Sequence, residues 1–103
     1  MNVIKTPAGL VPVNEPAIVK NVTAPASGWS GSAAPYTNTI SVVGVTADNI
    51  VEVSLTNTAT DAQVTACMDA QIAKATQAPG KITLYAYGEK PTVNLPITAI
   101  IIN

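Results

Sequence analysis

The chain has 103 residues, one domain's length, with five lysines, no arginine, six acidic residues and a net charge of −1. Arginine is the side chain best suited to two-pronged phosphate contacts, and its absence, with no basic patch, excludes nucleic-acid binding from the expected functions. Histidine is absent too, which removes the commonest general base near neutral pH, the triads built on it and most zinc sites.

The first 35 residues differ from the rest. Five of the eight prolines lie here, at Pro7, Pro12, Pro16, Pro25 and Pro35. Each fixes φ, removes a donor and biases its predecessor to extended backbone, so no regular helix is expected. Short apolar pieces sit between them: Val3-Ile4, Leu10-Val11 and Ala17-Ile18-Val19. A disordered tail and an extended arm are both open; the apolar pieces favour an arm over residues 1–27, since disordered tails are poorer in Val and Ile. Val3, Ile4, Leu10, Val11, Ile18 and Val19 are its candidate anchoring residues.

Ser27-Gly28-Trp29-Ser30-Gly31-Ser32 reads as a small-residue hinge around the single tryptophan. Strand signals follow. Thr39-Ile40-Ser41-Val42-Val43 alternates up to Gly44, and Val45-Thr46-Ala47-Asp48-Asn49 reads as a turn. Val51, Val53 and Leu55 share one strand face, with Glu52 and Ser54 on the other. The period then changes. Val64, Cys67, Met68, Ile72 and Ala75 recur at helical spacing, predicting a helix over about 59–76. Thr60 and Gln63 form a candidate capping box, Asp61 and Lys74 suit the two ends of the dipole, and Pro79-Gly80 is the expected stop. Strand spacing returns in Lys81 to Tyr87, with Ile82, Leu84 and Ala86 against Thr83, Tyr85 and Tyr87. Gly88 to Pro91 is a turn, and Leu95 to Ile102 is the last strand. That strand is apolar on both faces, with Leu95, Ile97, Ala99 and Ile101 on one and Ile100 and Ile102 on the other, which predicts cover on both sides. One protomer has little left for the second face. Ile100, Ile102, Tyr85 and Tyr87 are therefore the candidate oligomer interface.

Composition points the same way. Hydrophobic residues make up 48% and charged residues 11%, against roughly 25% charged in an average soluble domain, so more apolar surface is present than a small domain easily hides alone. The core material is Val, Ile, Leu and Ala, with no Phe, and branching at Cβ favours strands. The start lacks a signal-peptide pattern, and no apolar run approaches membrane-spanning length, so synthesis and assembly in a cytoplasm are expected.

The search for chemistry finds little. Cys67 is alone and reads as a small hydrophobe on a helix face. Asp48, Glu52, Asp61, Asp69 and Glu89 show no paired or cation-loop spacing. No phosphate cradle is present, and the expectation is a non-enzyme with no cofactor and no metal site. Trp29 and Tyr36 are the candidate ligand patch, with Tyr85 and Tyr87 shared between a sugar-binding reading and the interface reading.

The run Gly28-Trp29-Ser30-Gly31-Ser32-Ala33-Ala34-Pro35-Tyr36-Thr37-Asn38-Thr39-Ile40, followed by Val43-Gly44-Val45-Thr46-Ala47-Asp48-Asn49, resembles a small domain of structural proteins from phages and prophages of Gram-positive bacteria, where it often ends head-fibre or tail-fibre proteins. The resemblance covers about residues 28–103. It implies a virion role and trimerisation, and supplies no catalytic residues. Residues 1–27 are much shorter than a fibre shaft, which favours a compact head-decoration or short head-fibre protein on the virion surface, held to the capsid by its arm. The alternative is a tail-fibre or tail-tip module that binds a host cell-wall glycan. The expected fold class is α+β, mostly β: a small β-sandwich-like or single-sheet domain (28–103) with one helix, preceded by the proline-rich arm. The expected partners are further copies of the chain, phage capsid or tail proteins and, in the alternative, a host glycan, with no nucleic acid and no membrane.

Overall fold

The computed structural model describes residues 17–102. In chain order these form β1 (Ile18–Ala24), a 3-10 turn (Ala26–Gly28), β2 (Tyr36–Ser41), β3 (Ile50–Leu55), α1 (Asp61–Ala70), β4 (Ile72–Ala78), β5 (Lys81–Ala86) and β6 (Leu95–Ile102). The strands build two antiparallel three-stranded sheets, in the orders β1-β6-β3 and β2-β5-β4. The expected β-rich fold with one helix is present, and of the two forms left open it is the two-sheet one.

Period-two alternation explains the packing. On β6 the residues Leu95, Ile97, Ala99 and Ile101 are buried, and on β5 so are Ile82, Leu84 and Ala86. These two central strands supply most of a single core cluster, joined by Ala24, Trp29, Ile40, Val42, Val45 and Ala70. The two inner faces therefore close on each other as a sandwich. Among the described residues one polar side chain is buried with the core: Asn38 on β2 donates from Nδ2 to the carbonyl of Pro25 at 3.0 Å, tying β2 to the turn after β1. The Asn38 amide fills the space a side chain at residue 28 would take, since a Cβ there would lie 2.6 Å from Asn38 Oδ1, which accounts for Gly28.

Three expectations are corrected. First, Ile18 and Val19 belong to no arm. Residues 18–24 form β1, paired along its length with β6, because β6 has an open ladder edge that extended, proline-free residues 18–24 can fill. The anchoring candidates Val3, Ile4, Leu10 and Val11 lie outside the described residues. A truncation meant to remove the arm alone therefore has to stop before β1.

Second, the helix is shorter than its spacing suggests. It starts where expected: Thr60 Oγ1 accepts from the Gln63 amide at 3.2 Å, and Gln63 Oε1 accepts from the Thr60 amide at 2.8 Å. It ends at Ala70, with Gln71 left-handed at φ 50, and Ile72, Lys74 and Ala75 lie on β4. Ala, Lys and Gln are helix formers, but β5 needs a partner on its second edge, and that pairing overrides local preference. Pro79-Gly80 is accordingly a hairpin turn between β4 and β5, with Gly80 at φ 76, rather than a helix stop.

Third, the packed side of α1 is not the stripe of large apolar residues. Ala70 is buried and Ala66 and Cys67 pack against the core, while Val64 is exposed and Met68 is 71% exposed.

Candidate interaction surface

The two outward faces of the sandwich differ. The outer face of the β1-β6-β3 sheet carries Val19, Asn21 and Thr23 from β1, Pro96, Thr98, Ile100 and Ile102 from β6, and Ile50, Glu52 and Ser54 from β3, as the cross-strand register dictates. One end is polar. Thr98 Oγ1 donates to Asn21 Oδ1 at 2.9 Å and pairs with Thr56 Oγ1 at 2.8 Å. The other end is largely apolar, with the exposed Glu52 across from Ile100 its one charge. Ile50 is 61% exposed, Val19 57% and Ile102 37%, with Ile100 half-buried among them. A shallow groove of about 620 Å³ runs along this face, lined by Val19, Asn21, Thr23, Ser54, Thr56 and Thr98 among others.

The outer face of the β2-β5-β4 sheet is polar. Thr39 and Thr83 share a hydrogen bond at 2.8 Å, and Tyr85 Oη pairs with Thr76 Oγ1 at 3.3 Å. The Lys74 ammonium sits 4.8 Å from the centre of the Tyr85 ring, so the side chain expected at the helix end covers an aromatic face instead. Tyr87, just beyond β5, is 43% exposed.

The four interface candidates thus fall on two separate surfaces. Ile100 and Ile102 lie together on one outer face; Tyr85 and Tyr87 belong to the opposite one. The candidate ligand patch separates as well. Trp29 is 6% exposed and lies in the core, so it offers no open ring for a sugar, and its indole Nε1 has no hydrogen-bond partner among the described residues. Burial of the largest apolar side chain in a Phe-free chain is the physical reason. Tyr36 is half-buried on the inner side of β2, with the Lys90 ammonium 5.1 Å from its ring centre.

Sequence reasoning missed Ile50 and misassigned Val19. The signal for Ile50 was its parity: in the Ile50–Leu55 run it alternates with Val51 and shares a face with Glu52. Which strand lies beside it, and hence that Ile50 stands opposite Ile102, is not written in that run.

Groups capable of chemistry are dispersed. Among the described residues no three His, Cys, Asp or Glu side chains are grouped to hold a metal ion. Asp61, Asp69, Glu89 and Lys90 border a groove of about 440 Å³ beside α1. Burial pushes the Cys67 thiol above its ordinary value of 9.0, which keeps it protonated near neutral pH and weakens it as a nucleophile. No helix among the described residues is long and apolar enough to cross a membrane. Comparisons with known protein families, with curated proteins and with solved structures return no match to this chain.

Proposed function

We propose that this chain is a non-enzymatic structural protein of a bacteriophage particle. In this reading it forms a homo-oligomer, trimeric as the resemblance of residues 28–103 implies, and decorates the head or forms a short head fibre. Residues ahead of β1 attach it to the capsid. The observation that carries the oligomer is the largely apolar end of the β1-β6-β3 outer face, where Val19, Ile50 and Ile102 are exposed around the half-buried Ile100. A low-charge chain of this size gains from covering such a patch with a neighbouring subunit.

The test is the solution mass of full-length protein by light scattering across a dilution series. A mass above one protomer is expected, and Ile102→Lys should weaken association about tenfold or more, the size of an ordinary interface hot spot. Ile102 is already partly exposed, so the variant's far-UV spectrum should match the parent's. A parent that is monomeric throughout removes the basis of the proposal.

One observation favours the tail-module reading. Tyr85 and the exposed Tyr87 stand on a face rich in threonine hydroxyls, as a sugar-contacting surface would. Under that reading Tyr87→Ala lowers binding to host cell walls several-fold and leaves the mass unchanged. Unaltered cell-wall binding by the variant would leave the head-decoration reading alone.

A further inference from the structure

We propose that β3 is a pairing edge, which accepts the β3 strand of a second copy, antiparallel, about a two-fold axis at Val53. This contact lies beyond the outer-face patch and does not depend on it.

A sandwich of two three-stranded sheets has four edge strands, and proteins protect such edges against unwanted pairing. Three of the four are protected here. β1 packs against β2 and carries Lys20 at mid-strand. The open side of β2 is bridged at Thr37, where the Ser30 amide donates to the Thr37 carbonyl at 2.8 Å and the Thr37 amide donates back at 3.1 Å. β4 has a register irregularity between Ile72 and Lys74, and Lys74 itself. β3 has no proline, lysine or bulge, and no described strand pairs with its free edge.

The side of the sandwich next to β3 is also unfinished. Where β1 meets β2 on one flank, β3 and β4 on the other leave a crevice of about 350 Å³, lined by Val51, Val53, Ile72, Ala75 and Leu84 among others. Val51 and Val53 are only half-buried against it.

Their backbone orientation follows from one hydrogen bond. The Thr56 amide donates to the Pro96 carbonyl at 2.8 Å, one step beyond the Leu55–Ile97 pair. Bonded and non-bonded pairs alternate along an antiparallel ladder, so Ile50, Glu52 and Ser54 bond to β6. Val51, Val53 and Leu55 then turn both N–H and C=O outward, with the Val51 and Val53 side chains toward the crevice. A second β3 centred on Val53 sets Val53 against Val53 and Val51 against Leu55, each as a bonded pair, and their side chains close the crevice mouth from both copies. The same register sets Glu52 opposite Ser54 of the second copy, so the only charge on the strand meets no like charge directly across. A one-residue shift of the axis keeps the backbone bonding, but an axis at Glu52 sets that carboxylate against its own copy, and one at Ser54 leaves only residues 53–55 paired within the strand, so charge and length select Val53.

Area supports a second contact. The β1-β6-β3 outer face spans roughly 27 by 14 Å, which falls short of the ~800 Å² per partner of a standard interface. With a three-fold contact elsewhere, a two-fold contact gives even multiples of three protomers; by itself it gives a dimer.

The test uses the full chain and the exposed Ser54. Ser54→Lys places an opposite charge across from Glu52 twice per two-fold, and Ser54→Glu a like charge twice. Sedimentation equilibrium up to the solubility limit should find the two-fold step tightened about fivefold by Ser54→Lys and weakened about fivefold by Ser54→Glu, with the difference lost in high salt. Equal effects of the two variants, no effect of either, or no association by any of the three proteins would overturn the proposal. Ile102→Lys, run beside them, separates the readings: opposite responses at Ser54 with an inert Ile102→Lys sink the outer-face patch alone, and the reverse pattern sinks the β3 contact alone.

Discussion

Ile101→Ala should cost about 3–4 kcal/mol of folding stability, within the range for truncating a fully buried isoleucine. Ile101 is 0% exposed on the inner face of β6, between Ile18 on β1 and Val51 on β3. Its Cδ1 also closes the space under Gly44, 3.4 Å from where a Cβ would stand. Packing on three sides leaves little room for the surroundings to collapse into the cavity. A domain of this size holds roughly 5–15 kcal/mol in total, so the variant should sit near the limit of folding. Urea unfolding followed by circular dichroism reads the loss as a lower midpoint at unchanged slope. The neighbouring Ile102→Ala is the control. Its side chain faces the other way, so it should lose less than ~1 kcal/mol and act on association instead. Similar losses at the two positions would mean that the face assignment of β6 is wrong.

Gly88→Ala should lower the melting temperature by roughly 10–20 °C, equivalent to about 2–3 kcal/mol in a domain of this length. The reason lies at the C-terminal end of α1, where the last carbonyls of a helix lack partners within it. Three consecutive amides supply them: Tyr87 N–H donates to Gln71 O at 3.2 Å, Gly88 N–H to Ala70 O at 2.8 Å, and Glu89 N–H to Asp69 O at 3.0 Å. This strap runs so close that a Cβ on residue 88 would collide with the Asp69 carbonyl oxygen and lie 3.2 Å from the Ala70 carbonyl. Both obstacles are backbone and cannot rotate aside. The strap must lift, and each hydrogen bond it loses costs about 1 kcal/mol. A shift under ~2 °C in a thermal scan would show that the strap can relax at no cost.

Both cases bear on what can be read without coordinates. The alternation in Lys81–Ala86 and Leu95–Ile102 is visible residue by residue, because a strand between two others must bury every second side chain. The capping box of α1 is equally local, since Thr60 and Gln63 satisfy each other's amides within one turn. The end of α1 is not local. Ile72 and Ala75 continue the helical spacing of Cys67 and Met68, and only the edge of β5 draws them into a strand. Trp29 sits in a small-residue run that marks it as a candidate ligand-patch aromatic; its burial depends on residues far along the chain. The closeness that makes Gly88 necessary involves Asp69 and Ala70, nineteen and eighteen positions earlier.

The interaction surface divides in the same way. That β6 is apolar on both faces, and that the chain is too poor in charge to leave such a face bare, follows from the order and kind of its residues. That Ile50 and Val19 join Ile100 and Ile102, that Tyr85 and Tyr87 lie on the opposite side, and that, among the described residues, no strand pairs with the free edge of β3 were decided by strand order. Side-chain parity is a property of consecutive residues and survives in any context that forms a strand. Adjacency between strands is chosen by the packing of the whole chain, in which 39 residues separate β3 from its neighbour β6 and two separate β4 from its neighbour β5, so no local pattern encodes it.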